Sequence, residues 1–371
     1  MKAGDQMIRF IHTGDIHLGL RFTNTSFGPE KGRKRREELW SSFQRLVSYA
    51  VEENIDLFLI SGDLLEEDNF TQRDIARLSN ILSSAEGVRF FIIAGNHDML
   101  SSDSILSRWS FSDNVTVFKG KEVETKRLDD IGVAVHGVSW IKSMDTSDFI
   151  SGIRVVDGCH NILMLHGDVM STSKYMVLEK KNLESLKMDY IALGHIHKPM
   201  FIAHNIAYCG SLEGLDFGEP GRRGFILGEI GETNSFNFTP FSTREFHLHH
   251  IQLSGDMTHS DIYVTAKDIV TGAGKDDFHR ILLSGHSPRH FNVEALYDQL
   301  EKDCYHIEIQ DKSSPDINLD ELLEMNEGNI IGSFIKSFTE EDIATDVGRR
   351  ALYLGLEALL EGGSSDADKR D

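Results

Sequence analysis

Cysteine is scarce in this chain. Three in 371 residues, Cys159, Cys209 and Cys304, are too few for a disulfide framework and show no metal-type spacing. No apolar run comes near the ~20 residues that cross a bilayer, and the opening "MKAGDQMIRF" has no apolar signal segment. These absences give the expectation of a cytoplasmic, reduced protein without a membrane segment. Positive charge is short as well. Lys and Arg number 38 against 59 Asp and Glu, a formal net charge of −21, which argues against nucleic-acid binding by bulk charge.

That charge is unevenly spread. Residues 301–371 hold 18 acidic and 7 basic residues, a net of −11, so about half of the acidity sits in the last fifth of the chain. The opposite bias is in "KGRKRR", where five of the six residues 31–36 are basic. An apolar content of 40% is ordinary for a globular protein, and 371 residues bury a sizeable core in one large domain or two to three smaller ones.

The first hundred residues alternate between two periods. "MIRFIHTGD", "IDLFLISGD" and "VRFFIIAGNHD" are apolar runs closed by turn residues and read as buried strands. Between them, "EELWSSFQRLVSYAVEEN" puts Leu39, Phe43, Leu46, Val47, Ala50 and Val51 on one helical face, and "DIARLSNILSS" does the same with Ile75, Leu78, Ile81 and Leu82. Such alternation predicts an α/β fold with a largely parallel sheet and helices on its faces. Further strands are expected at "IGVAVHGVSW", "NILMLHGDV" and "YIALGHIH", then a more β-like region with glycine-rich turns at "GSLEGLDFGEPGRRGF". From about 245 the strands "EFHLHHIQLSG", "FHRILLSG" and "CYHIEIQ" and the helix "NVEALYDQLEKD" suggest a small α/β unit. Residues 317–362 read as acidic helix and "GGSSDADKRD" as a disordered tail. The expected divisions are 1–245, 246–316 and 317–371.

Ligands of an open α/β sheet bind beyond the carboxyl ends of its strands. The residues there are Asp15 and His17 in "GDIH", Asp63 in "SGD", Asn96, His97 and Asp98 in "GNHD", His166 in "HGD", and His195 and His197 in "GHIH". All are Asp, Asn or His, the oxygen and imidazole donors that suit Mn, Fe or Zn, with no thiolate among them. Each segment alone is a weak signal, since a turn aspartate beside an incidental histidine is common. Five of them, each ending an apolar run, point to one metal centre. Two metals ~3.5–4 Å apart stabilise both the attacking and the leaving oxygen of an in-line displacement, and a carboxylate with two oxygens can bridge them. Asp63 is the candidate bridge. An extended G-H-x-H segment is expected to send both imidazoles to one side.

The ordered series D-x-H, G-D, G-N-H-D, H-G, G-H-x-H resembles the signature of the calcineurin-like metallophosphoesterases. Within them, "FIHTGDIHLG", "GNHD", "ALGHIHKP" and "YCGSLEGLDFGEPGRRGF" are similar to DNA double-strand-break repair exonucleases of the SbcD type, in the YhaO-like branch. The likeness is strong over about 7–245 and weaker to about 360. It implies a metallophosphoesterase β-sandwich flanked by helices, a small α/β cap that helps choose the substrate, and a helical C-terminal segment. It also implies that Asp15, His17 and His197 complete a first metal site with Asp63, while Asn96, His166 and His195 complete a second. His97 then contacts phosphate and protonates the leaving oxygen, with Asp98 orienting its imidazole. The implied cofactors are two divalent ions, Mn before Fe, Zn or Mg. The implied activity is 3′-to-5′ DNA exonuclease, with single-strand cutting, in a homodimer with an SbcC-like coiled-coil ATPase.

Other residues take plainer readings. Glu66 stands where this superfamily commonly has Asp or His, so at most it supports a ligand. His12 and His136 read as packed strand histidines, and His247, His249 and His250 as an exposed strand. Lys31, Arg33, Lys34, Arg35 and Arg36 are expected just before the first helix, beside the D-x-H loop, where they could hold a DNA backbone by phosphate contacts. Arg222 and Arg223, expected in a hairpin turn, carry a weaker version of that argument. The competing functions are a metallophosphoesterase for a small diester, nucleotide or phosphoprotein, and a non-catalytic scaffold that brings the ATPase to DNA. Complete retention of the ligand set and of His97 argues against the scaffold.

Overall fold

A computed structural model describes residues 7–23, 27–141, 152–169, 177–288 and 291–365. They divide into two compact units between Phe246 and His247. The first opens with β1 (Ile8–Thr13), α1 (Pro29–Glu52), β2 (Leu57–Ser61), α2 (Gln72–Ser83), β3 (Arg89–Ile93), the short α3 (Ile105–Arg108) and β4 (Val115–Val117). It continues with β5 (Glu124–Leu128), β6 (Val133–Gly137), β7 (His160–His166), α4 (Lys180–Ser185), β8 (Tyr190–Gly194), β9 (Met200–Ala203) and β10 (Ile206–Tyr208). Two strands, β11 (Gly224–Ile230) and β12 (Ser235–Pro240), close it.

Two six-stranded sheets result. The first has the order β12-β11-β1-β2-β3-β4 and the second β5-β6-β7-β8-β10-β9. β1 to β4 run parallel, as do β6, β7, β8 and β10; β11 and β12 are antiparallel additions at one edge of the first sheet. The core lies between the sheets. Leu57, Leu59, Phe91 and Ile93 from the first meet Val133, Val135, Ile162 and Met164 from the second. The residues between them in sequence face outward. Phe58 packs edge-on against Phe43 of α1, with ring centroids 6.4 Å apart, and Leu163 and Leu165 lie over Leu183 of α4. Strands buried on both faces must be apolar at every position, hence the continuous runs. Each such fully buried side chain contributes about 1.5–3 kcal/mol of burial free energy. The sandwich flanked by helices is the expected fold class.

Local details depart from the periodicity. α1 begins at Pro29, so the basic cluster occupies its first two turns instead of a preceding loop. Proline at the first helical position is pre-set for that role. At the other end of the helix, Val51 is 49% exposed, outside the buried face assigned to it. Arg222 and Arg223 lie in the connection from β10 to β11, which are strands of different sheets, and not in a hairpin turn. His12 and His136 are buried strand residues. His12 meets the Tyr190 hydroxyl at 2.9 Å and Ser61 Oγ at 3.0 Å, and His136 meets Asn161 Oδ1 at 3.0 Å.

The second unit holds β13 (Phe246–Leu253), α5 (His259–Gly274), β14 (Phe278–Ser287), α6 (Val293–Leu300), β15 (His306–Asp311) and β16 (Ser314–Pro315). The helices α7 (Leu319–Met325), α8 (Ile330–Lys336), α9 (Glu340–Ala344) and α10 (Asp346–Ser365) follow. Ile251, Leu253, Ile281 and Leu283 of the sheet pack on Ile262 and Ala266 of α5 and Leu296 of α6. The acidic helices gather around Ile335, Leu352 and Leu356. α5 had no place in the sequence reading. The backbone of α10 stays helical to Ser365, into the stretch expected to be a disordered tail, whose last six residues lie outside the described ones. Among the described residues, no helix is long and apolar enough to cross a membrane.

Candidate metal centre

The site is made where both sheets present the carboxyl ends of parallel strands. β1, β2 and β3 deliver Asp15, His17, Asp63 and Asn96; β7 and β8 deliver His166, His195 and His197. The strand-end turns are tied to one another by backbone bonds, Asp15 N–H to the Gly62 carbonyl at 3.0 Å and His17 N–H to the Asp63 carbonyl at 3.0 Å. Sharp turns require unusual backbone. Six described non-glycine residues have positive φ, and four of them are Asp15 (48°), His17 (52°), Asp63 (49°) and His195 (101°). Each costs on the order of 1–3 kcal/mol, a strain that clusters where side chains are aimed for function. Gly62 (φ 94°) and Gly194 serve the same packing. A Cβ on Gly62 would lie 2.3 Å from His166 Nδ1, and one on Gly194 would lie 1.9 Å from the Ser61 carbonyl oxygen.

His195 is therefore not in the extended segment expected of G-H-x-H; β8 ends at Gly194 and the chain turns. The two imidazoles part company. His197 Nε2 lies 3.2 Å from His17 Nε2 and 3.9 Å from Asp15 Oδ1. His195 Nδ1 lies 3.1 Å from Asn96 Oδ1, which is 3.0 Å from His166 Nε2. Between the two groups stands Asp63. Its Oδ1 accepts the His97 backbone N–H at 2.8 Å, while Oδ2 is 3.4 Å from His166 Nε2 and 3.9 Å from His17 Nε2.

Tautomers follow from the outer partners. A carboxylate or carbonyl only accepts, so a ring nitrogen facing one carries the proton. His17 Nδ1 donates to Glu66 at 2.7 Å, His197 Nδ1 to Glu219 at 2.5 Å, and His166 Nδ1 to the Ser61 carbonyl at 2.9 Å. Every one of these rings turns the lone pair of Nε2 inward, onto another lone pair or a carboxylate or amide oxygen. A centre of acceptors alone is repulsive without positive charge among them. The imidazoles register this. Although burial lowers it, the pKa of His166 is raised to about 9 by Asp63, and that of His197 to about 9 by Glu219 and Asp15. Asp63, which burial alone would raise, is pushed well below the carboxylate range by His166 and His17. Surplus negative charge, buried oxygens and inward imidazole nitrogens are the conditions that divalent cations satisfy. Among the described residues, Asp15, His17 and His197 form one group able to hold an ion, Asp15, Asp63 and His166 a second, and His17, Glu66 and His97 a third.

His97 and Asp98 do not share one task. His97 is 45% exposed, and its Nδ1 faces Glu66 at 3.1–3.2 Å, a hydrogen bond that is the first cause of its raised pKa. Glu66 is itself drawn down to about 2, burial opposing and His17 and His97 prevailing. Asp98, expected to orient His97, is fully buried and turned away. Its Oδ1 accepts N–H from Gly95 (2.6 Å) and Asp63 (3.2 Å), and its Oδ2 from Leu64 (2.8 Å) and Leu65 (3.3 Å). It clamps the β2 and β3 turns together, and Glu66 takes the place assigned to it.

Two further expectations change. Arg35 is fully buried, bonded to Glu38 at 2.5 Å, the Gly214 carbonyl at 2.7 Å and Glu213 at 3.4 Å, and so cannot reach DNA. Arg33 and Lys34 are exposed on the same helix, with Lys34 beside Glu30 at 3.0 Å, and Lys31 and Arg36 are partly covered. His247 and His249 lie on one side of β13 against His279, with ring centroids 5.1–5.8 Å apart and planes within 18°. His279 Nε2 donates to the Gly274 carbonyl at 2.8 Å, so its Nδ1 accepts from His249 Nε2 at 3.0 Å. That chain engages both nitrogens of His279, and it leaves His247 and His249 half-buried where an exposed strand was expected; His250 alone of the three is exposed.

The family model for calcineurin-like phosphoesterases matches residues 8–199, 192 of the 371 residues. The chain belongs to that family. Among curated relatives, this phosphoesterase is similar to the metallophosphoesterase YhaO of Bacillus subtilis, 28% identical over 238 residues, 59% of this chain and 57% of that one. It is 26% identical over 257 residues to the DNA double-strand break repair protein Mre11 of Methanosarcina mazei, covering 65% of this chain and 39% of that protein. To Mre11 of Saccharolobus solfataricus it is 26% identical over 197 residues, 52% of this chain and 50% of the relative. The matched region thus spans about half the length of these relatives or a little more or less.

Proposed function

We propose that the chain is a two-metal phosphodiesterase that degrades DNA. The observation that carries the reading is the gathering of Asp15, His17, Asp63, Asn96, His166, His195 and His197 at the strand ends, in which His17, His166 and His197 each turn Nε2 inward. In this reading Asp15, His17 and His197 would hold one ion, Asn96, His166 and His195 would hold the other, and Asp63 would be shared by both. Bound divalent ions would supply an activated water and stabilise charge on the phosphodiester oxygens. The protein does the rest. Glu66 holds Nδ1 of His97, leaving Nε2 to give a proton to the leaving oxygen, and the same hydrogen bond raises the pKa of His97, favouring its protonated form.

DNA as the substrate is supported by the printed role of the Mre11 relatives in double-strand break repair. Arg33 and Lys34, exposed on α1, are the basic residues proposed for backbone contact, with Lys31 and Arg36 behind them. Exonuclease polarity of 3′-to-5′, single-strand cutting, Mn²⁺, a homodimer, an SbcC-like ATPase partner and a cytoplasmic location extend the same reading by resemblance. So does a domain layout in which residues 246–316 help choose the substrate and 317–371 dock the ATPase. The test gives chelator-stripped protein Mn²⁺, Mg²⁺ or no metal, with end-labelled DNA beside bis-p-nitrophenyl phosphate. Metal-dependent cleavage of both is expected, and His97→Ala should lower turnover by ~10²–10⁴-fold with metal retained. Hydrolysis of the small diester with DNA untouched would refute the nuclease reading.

A further inference from the structure

β9 starts at Met200, shortly after His197, and is the outer strand of the second sheet, bonded to β10 alone. Its register sets Met200 opposite Tyr208 and Phe201 opposite Ala207. β10 runs parallel to β8 with Tyr208 beside Leu193, so β9 begins at the end of the sheet where β8 leads into His195 and His197. From His197 to Phe201 the backbone spans at most about 14 Å. Successive strand residues face opposite sides. Met200 and Ile202 pack on the cluster that holds Leu193 and Tyr208, while Phe201 between them is turned the other way and is 42% exposed. Packing of this strand asks nothing apolar at that position, yet a phenyl ring stands there. Among the described residues it is the one exposed phenylalanine. Outer strands usually carry charge instead, because a bare apolar edge invites unwanted pairing.

Between the ligand and the ring stands a cation on a fixed piece of backbone. The His197 carbonyl accepts the Ser211 N–H at 3.0 Å, and its Nδ1 donates to Glu219 at 2.5 Å. Gly210, at φ 75°, lets the two segments close on each other. A Cβ there would lie 2.7 Å from both the His197 carbonyl oxygen and the Pro199 nitrogen. Lys198 precedes that proline, which favours extended backbone for it. It is exposed and, among the described residues, meets no carboxylate.

We propose that Phe201 and Lys198 form a strand-binding subsite next to the metal centre. The phenyl ring stacks on a nucleobase close to the phosphodiester being cut, and the ammonium group holds an adjoining phosphate. A cation and an aromatic face side by side match the two halves of a nucleotide, and every base has a face to stack, so the subsite is indifferent to sequence. This rests on the nuclease reading and deepens it by naming the form of the substrate. A base stacks on a side chain only when it has left the duplex, so the DNA that reaches the centre is single-stranded there.

The test is binding of a fluorescein-labelled phosphorothioate oligothymidylate, which resists cleavage, and of an abasic strand of the same length, to the Mn²⁺-loaded full chain. Anisotropy reports binding, with bound Mn²⁺ and Tm measured for every variant. Phe201→Ala and Phe201→Leu should each weaken oligothymidylate binding by about 5–100-fold, and Phe201→Trp should restore it. None of the three should move binding of the abasic strand. Lys198→Ala should weaken both strands and reduce the slope of log affinity against log salt by about 0.7. Bound Mn²⁺ and Tm should stay as in wild type. Oligothymidylate binding that survives Phe201→Leu, a loss as large on the abasic strand, or an unchanged salt slope in Lys198→Ala would overturn the proposal. So would a Phe201→Ala variant that loses its Mn²⁺, which would make the ring a support of the centre, or one whose only change is a smaller assembly in light scattering, which would make β9 a protein interface. A wild type that holds Mn²⁺ but binds neither strand would remove the nuclease reading as well.

Discussion

Removing Asp98 separates two accounts of its role, because an orienting partner for His97 and a backbone clamp fail differently. Its two oxygens accept four N–H groups, those of Gly95 and Asp63 on one and Leu64 and Leu65 on the other. Alanine strands all four donors in a site where Asp98 itself is fully buried. At ~1 kcal/mol for each stranded donor, the cost is about 4 kcal/mol. Asparagine keeps one oxygen and turns an amide against the other pair, so about half that cost is expected. For a unit of 246 residues, 4 kcal/mol lowers Tm by on the order of 10 °C. The assay is urea and thermal unfolding at pH 8, where the carboxyl is ionised although burial, and then the charge of Asp63, push its pKa up to about 7. Metal retention should fall in parallel, since the clamp holds the turn that carries Asp63. Variants that unfold within ~1 °C of wild type and lose only turnover would refute the clamp.

Other outcomes follow from the same geometry. Burial pushes the pKa of His12 down to about 3 from 6.5, so between those values the unfolded chain binds the extra proton and stability falls as pH falls. At about 1.4 kcal/mol per pH unit, going from pH 6.5 to pH 5 costs ~2 kcal/mol, which urea titrations of wild type and His12→Gln should show as a steeper loss in wild type. Arg35→Ala leaves Glu213 buried beside no guanidinium and should cost ~3–5 kcal/mol in urea unfolding. Arg33→Ala, on the exposed side of α1, should stay within ~0.5 kcal/mol while weakening DNA binding most at low salt.

Much of the first unit was legible because its strands are buried on both faces. Phe58 and Leu59 must both be apolar, so runs such as "LFLIS" announce themselves, and a polar residue right after one marks a strand end. Nine strand-end polar residues stand out in this way, and the family resemblance sets seven of them apart as ligands. Their supporters do not. Glu66 and Glu219 sit in connections without an apolar frame, and the turn that aims Asp98 at four amides depends on backbone that spacing does not encode. Arg35 was misread because periodicity detected α1 only from its first apolar residues, although Pro29 marks an earlier start. α5 escaped because glycines and β-branched residues in "HSDIYVTAKDIVTGAG" blur the helical stripe of Ile262, Ala266 and Val270. Those three residues nevertheless form the buried face.

The central claim is that the acceptor cluster around Asp63 is a divalent-metal centre that hydrolyses phosphodiesters. Hydrolysis of bis-p-nitrophenyl phosphate by chelator-stripped wild type and Asp63→Asn protein, each with its bound Mn²⁺ measured, tests it most directly. The account predicts no turnover without metal, recovery on adding Mn²⁺ to wild type, and loss of both metal and turnover in Asp63→Asn. Turnover that persists without metal, or an Asp63→Asn variant that keeps its metal and its activity, would contradict it.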